Sequence, residues 1–259
     1  MKKAAIDKLI MEDSGLSALT RRDIEDLQLR LLNMQIERSR AQGGFYSGLS
    51  PLSSLDELKR LPFTTSHDLE ENYSSLLLVP PEDIARIRTE YTSGTTGTPK
   101  KVAYTTYDCD RTAEFFACGL SEFIGSGDNT LICMPTSDGL SLGGLIARAV
   151  KSLGAEPIAF GVGRTFSQLM ETVREKRPNT YVGMPVTLLA LFRIMGPECT
   201  IERALTSGDT ASEFLQRECE KHLKAPLFPH YGLRESGLGM AYTCAAHEGM
   251  HLSLIHISY

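Results

Sequence analysis

Between residues 130 and 231 short apolar runs alternate with longer amphipathic ones, and this alternation narrows the fold more than any other feature. Thr130-Leu131-Ile132-Cys133-Met134, Pro157-Ile158-Ala159-Phe160, Thr180-Tyr181-Val182-Gly183-Met184 and Ala204-Leu205-Thr206 read as strands. Leu227-Phe228-Pro229-His230-Tyr231 reads as the last strand, weakened by its proline. Residues 142–153, 166–177, 186–195 and 211–223 read as helices. Parallel neighbours need a long crossover, which a helix supplies. The class is therefore α/β, with a largely parallel sheet and flanking helices. Ligands of such sheets gather at the carboxyl ends of strands. The loops 135–139, 207–209 and 232–235 are the ones to watch.

The first third is a different material. Residues 20–41 read as a helix, with Thr20 and Asp23 at capping-box spacing and Ile24, Leu27, Leu31 and Met34 on one face. Gly43-Gly44 ends it. The Arg and Glu run along 21–38 is a wet helix face. Ser54 and Glu57 form a second capping box before Leu55, Leu58 and Leu61, a short helix stopped at Pro62. The resulting division is a helical lead-in over 1–75 packed on an α/β part over 76–252.

One stretch fits neither pattern. In Tyr91-Thr92-Ser93-Gly94-Thr95-Thr96-Gly97-Thr98-Pro99-Lys100-Lys101-Val102, five residues are Ser or Thr and two are Gly. Glycine and proline break helix and strand alike. Small residues allow close backbone approach, and hydroxyls, amides and lysine suit phosphate oxygens. Ala103-Tyr104-Thr105 reads as the return to ordered structure. No G-x-x-x-x-G-K-[ST] pattern can be drawn here, so this is not the loop of P-loop kinases or GTPases.

This stretch resembles the signature phosphate loop of the adenylate-forming (acyl-CoA synthetase) superfamily, in the version found in phenylacetate–CoA ligases. Leu61-Pro62-Phe63-Thr64-Thr65 with Asp68-Leu69-Glu70-Glu71-Asn72-Tyr73 is similar to that family's lead-in. Tyr231-Gly232-Leu233-Arg234-Glu235 is similar to its second core motif. The resemblance runs over roughly residues 25–252. It implies the N-terminal domain of an AMP-forming carboxylate–CoA ligase for an aryl or arylacetic acid. ATP and the acid would give acyl-adenylate and pyrophosphate, and the thiol of coenzyme A would then displace AMP. A carrier-protein thiol as acceptor, or a non-catalytic nucleotide-binding remnant, stays open.

The resemblance also implies roles. Thr92, Ser93, Gly94, Thr95, Thr96, Gly97, Thr98 and Lys100 would hold the phosphates of ATP. Ser207, Gly208 and Asp209 would form the adenine-side turn, Tyr231 would flank the adenine, and Gly232, Leu233 and Arg234 would continue that wall. Glu235 would carry Mg2+, and Thr96, Lys100 and Glu235 are the catalytic candidates. Lys101 stays open between phosphate contact and solvent. Arg234 stands where the family usually has Thr, trading a hydroxyl donor for a bidentate cation or a solvated one. Cys244 and His251 have the spacing at which some relatives bind structural zinc, with two later cysteines. Four ligands close such a site, so zinc at Cys244 and His251, with His247 as a substitute ligand, stays open. The acid would lie near Ser137-Asp138-Gly139 and Gly183-Met184-Pro185. Complete members continue into a mobile C-terminal domain with a catalytic lysine. The expectation is that this domain is absent, that residues 253–259 are a non-family tail, and that the chain turns over poorly.

Composition removes other partners. A net charge of −5 without a basic stripe argues against nucleic acid. No apolar run nears the ~18 residues of a membrane span, and the N-terminus does not read as a signal peptide. Six scattered cysteines without C-x-x-C suggest reduced thiols in a cytoplasmic protein. The expected partner is a small carboxylic acid, and a homodimer stays open.

Overall fold

The structure, a computed structural model, describes residues 4–90 and 100–252. They form two compact units, one from residues 7–109 and one from 110–252 together with 4–6.

In the unit of residues 7–109, helix α1 (Ala5–Ser14) leads into α2 (Arg21–Gln42). Thr20 and Asp23 close the expected capping box, and Gly43 ends α2 at φ 65. The apolar stripe differs from the expected one, because Leu27 is buried but Met34 is exposed. Ser39 is buried instead, where the chain reverses after Gly43 and Tyr46 N–H donates to Ser39 Oγ at 3.1 Å. The second capping box is corrected by one residue. Ser54 makes no side-chain cap, while Ser53 N–H and Oγ both donate to the Glu57 carboxylate, over a 3-10 turn at Leu55–Arg60. Helices α3 (Ser66–Glu71) and α4 (Tyr73–Leu76) follow, α3 with a true capping box at Thr65 and Asp68.

Strands β1 (Ile84–Glu90) and β2 (Lys100–Thr105) then pair antiparallel, with Glu90 opposite Lys100. Strand β2 starts three residues before Ala103, because β1 offers a partner that the sequence pattern did not reveal. Lys101 Nζ lies 5.7 Å from the Tyr73 ring centroid, a cation–π contact rather than a free side chain. Alternation along a strand sends Lys100 to the opposite face.

The other unit carries most of α5 (Thr106–Leu120) and a seven-stranded sheet. Its strands are β3 (Asn129–Ile132), β4 (Glu156–Ala159), β5 (Thr180–Gly183), β6 (Arg203–Thr206), β7 (Phe228–Tyr231), β8 (Ala241–Tyr242) and β9 (His251–Leu252). The order is β4-β3-β5-β6-β7-β8-β9, parallel from β4 to β7 and antiparallel beyond. Tyr231 therefore does not end the last strand. Strands β8 and β9 span two residues each, too short for any alternation to show.

Helices α6 (Leu142–Ser152), α7 (Phe166–Lys176) and α8 (Pro185–Met195) stand within a residue or two of expectation. Helix α9 (Glu213–Glu220) is shorter than 211–223, because Ser212 caps it by accepting from Leu215 N–H. Leu131, Val173, Tyr181, Leu188, Leu191, Ala204 and Cys219 form the centre of a core between sheet and helices. Burial pushes the Cys133 thiol up to about 12, so it is an apolar filler at neutral pH. Among the described residues no helix is long and apolar enough to cross a membrane, and the six cysteines form no disulfide.

Candidate functional site

Strands β6 and β7 are parallel neighbours, so the turns after them leave the same edge of the sheet. A cavity of about 870 Å³ lies there, lined by Gly208, Asp209, Tyr231, Gly232, Thr243 and His247 among others. The sequence read Gly208, Asp209, Tyr231 and Gly232 as one site from two distant motifs. The fold brings them together.

Each backbone has a local reason. Gly208 sits at φ 86, a left-handed conformation that any Cβ would strain, and Asp209 Oδ1 accepts from Thr210 N–H at 2.7 Å to close the turn. Gly232 is required by contact. A Cβ there would sit 2.1 Å from the Leu238 carbonyl oxygen and 3.0 Å from His230 Cε1. Tyr231 pairs with Ala241 of β8, and Met240 N–H donates to Tyr231 O at 3.0 Å, while the residue stays 47% exposed at the cavity. A fixed backbone with a half-exposed ring is what a flat heterocycle can stack on.

Ser207 does not line this cavity. It is buried, its N–H donates to Gly183 O at 3.0 Å, and its hydroxyl faces His230 Nδ1 at 2.9 Å. Leu233, Arg234 and Glu235 lie past the cavity wall, Arg234–Ser236 as a 3-10 turn with Leu233 and Glu235 exposed. Thr112 Oγ1 of α5 donates to Gly237 O, which holds this turn against the helix. Lys100 opens β2 in the other unit. Thr92, Ser93, Gly94, Thr95, Thr96, Gly97 and Thr98 lie outside the described residues.

Around Gly208 the surroundings are apolar. The position a Cβ would take lies 3.7 Å from Met184 Cγ and 3.8 Å from the Met134 methyl. Gly183 cannot carry a side chain, since a Cβ would meet the Tyr181 hydroxyl at 2.4 Å.

Sequence reasoning passed over His230 as a strand residue. It is buried between Phe115 and Phe116 of α5, with ring centroids 6.0 and 4.9 Å away. Burial lowers its pKa to about 4, so the ring is neutral at physiological pH. Its Nε2 and Thr206 Oγ1 are both buried without a hydrogen-bond partner among the described residues. A histidine directly before the Tyr231-Gly232 motif was the available signal.

Cys244 Sγ and His251 Nε2 do meet, at 3.1 Å. His247 does not join them: its ring packs on Phe228, with centroids 4.8 Å apart. Among the described residues no group of three or more metal-ligating side chains converges. Cys244 and His251 would supply two of the four donors that a closed zinc site needs.

The AMP-binding enzyme family matches residues 10–255. A phenylacetate-coenzyme A ligase of Escherichia coli (strain K12) is 32% identical over 200 residues, 73% of this chain and 45% of that protein. The phenylacetate-coenzyme A ligase of Thermus thermophilus is 28% identical over 94% of this chain and 58% of its own length. The chain thus spans about half the length of the curated relatives it matches. Among solved structures, 2-hydroxyisobutyryl-CoA ligase in complex with 2-HIB-AMP and CoA superposes with a TM-score of 0.76 at 20% identity. That likeness covers 90% of this chain and 54% of the other, and shows a shared fold.

Proposed function

Because the chain belongs to the AMP-binding enzyme family, we propose that it supplies the nucleotide-binding part of an AMP-forming acid–CoA ligase acting on an arylacetic or related carboxylic acid. One observation carries this reading: the carboxyl ends of β6 and β7 set Gly208 and Asp209 beside Tyr231 and Gly232 around one cavity. The names of its relatives support the choice of acid.

In this reading the purine lies against the Tyr231 ring and over the Cβ-free backbone of Gly208 and Gly232. The acid lies beside Met134 and Met184, with its carboxylate toward the α-phosphate. A carboxylate oxygen attacks the α-phosphorus, the bond to the bridging oxygen of pyrophosphate breaks, and acyl-adenylate remains. The sulfur of coenzyme A then attacks the acyl carbon, and AMP leaves with the bonding pair. Two anions must approach in the first step, so the chemistry needs charge neutralisation more than proton transfer. The stretch 91–99 and Lys100 would hold the β- and γ-phosphates. Glu235, exposed and carboxylate-bearing, fits the single-carboxylate mode in which Mg2+ is held with substrate phosphates. Bound there, the ion would screen the phosphate charge.

The test is binding first and turnover second. Calorimetry on the full chain should give AMP binding that is lost in Tyr231→Ala with Gly232→Ala. Phenylacetate-dependent exchange of pyrophosphate into ATP should follow, and thioester formation with coenzyme A should exceed that with a carrier-protein thiol. A chain that binds neither AMP nor ATP would end the proposal.

A further inference from the structure

The β6–β7 pairing runs through Leu205 with Phe228 and Thr206 with Pro229, and stops there. Pro229 has no N–H with which to extend it. One residue further on, Ser207 Oγ and His230 Nδ1 meet at 2.9 Å, so a side-chain bond joins the strand ends where the backbone does not. Phe116 packs on the imidazole, and Gly232 lies over its Cε1.

For stability alone this is a poor choice. The ring is buried, Nε2 has no hydrogen-bond partner among the described residues, and an apolar side chain of similar volume would avoid that loss. What histidine adds is reach. It precedes Tyr231 and Gly232, and it grips the residue that precedes Gly208 and Asp209. Resting on the nucleotide reading above, we propose that His230 is a positioning residue, whose bond to Ser207 fixes the spacing between the two loops that close on the purine. It need not touch the nucleotide. It sets the gap into which the nucleotide fits, and a preorganised gap raises affinity.

This role predicts that stability and affinity part company. The double variant Ser207→Ala with His230→Leu replaces both polar partners by apolar groups. It should unfold in urea at or above the midpoint of the unaltered chain, yet bind AMP about tenfold more weakly in calorimetry. Thr180→Val is the control. It breaks the buried bond between Thr130 and Thr180, 2.7 Å long at the other end of the strands, and should lower the urea midpoint with AMP affinity unchanged. Should the double variant not fold, Ser207→Ala should weaken AMP binding while Ser207→Thr keeps it. Unchanged affinity in the double variant or in Ser207→Ala, or an equal loss in Thr180→Val, overturns the positioning role. Failure of the unaltered chain to bind AMP overturns the nucleotide reading itself, and the positioning role with it.

Discussion

At the amino ends of β3, β5 and β6, Asp128 accepts from Asn179 Nδ2 at 2.7 Å and from the Arg203 guanidinium at 2.7 and 3.2 Å. Arg203 also donates to Phe123 O at 2.6 Å, and Thr130 and Thr180 share a bond across the strands. Burial pushes the Asp128 carboxyl up, but Arg203, the Gly125 N–H and Asn179 together hold it below its usual value. At the carboxyl ends of β6 and β7 the polar groups are less well served. Among the described residues Thr206 Oγ1 and His230 Nε2 have no partner, Gly208 holds a left-handed backbone, and Tyr231 stands half exposed. The same sheet thus closes its polar accounts at one end and leaves them unfinished at the other. Unmet groups cost stability, so an end that keeps them is suited to meeting a ligand.

The largest effect belongs to Asp128→Ala, which strands the Arg203 cation and should destabilise by about 3 kcal/mol in urea unfolding. AMP affinity of the folded protein should not change; if it falls, the two ends are coupled and the contrast fails. Next comes pH. His230 titrates near 4 when folded against an ordinary 6.5, so the unfolded chain takes up the proton first. Stability should fall as pH drops from 6.5 toward 4, by on the order of 3 kcal/mol, and the double variant at Ser207 and His230 should lose that limb. Asp128, with its depressed pKa, stabilises above its unfolded value of 3.8 and loses this as pH falls further, so its window lies lower. Tyr231→Ala should weaken AMP about tenfold, or ~1.4 kcal/mol, with the urea midpoint nearly unmoved. Smallest of all, Asp209→Ala removes an exposed turn contact and should shift stability by less than about 0.5 kcal/mol. A larger loss would mean that this loop is held by Asp209 rather than by its neighbours.

Much of this was legible in the residues. The parallel strands could be read because β3 and β5 are buried almost throughout and so appear as short apolar runs without alternation. Thr20 and Gly43 marked the ends of α2 through capping chemistry that is local to the chain. What escaped was set at a distance. Strand β1 reads as a charged segment and is a strand through its pairing with β2. Helix α5 carries Phe115 and Phe116, whose meaning depends on His230 more than a hundred residues later. At the site, Gly208, Asp209, Tyr231 and Gly232 could be paired through motif resemblance and the strand-end rule. Ser207 reads as part of the same turn, and only its partner across the sheet shows where its hydroxyl is engaged. The family membership agrees with the resemblance read from residues 91–102 and 231–235.

Strand β6 pairs with β5 from Arg203 to Thr206, but with β7 only at Leu205 and Thr206. A seam therefore runs down the sheet at Pro229, with β7, β8 and β9 on its far side. Amide protons beyond that seam should trade with deuterium sooner than those of β5, as one cooperative block. The half of the nucleotide cradle that carries Tyr231 would then breathe while the half that carries Gly208 stays shut.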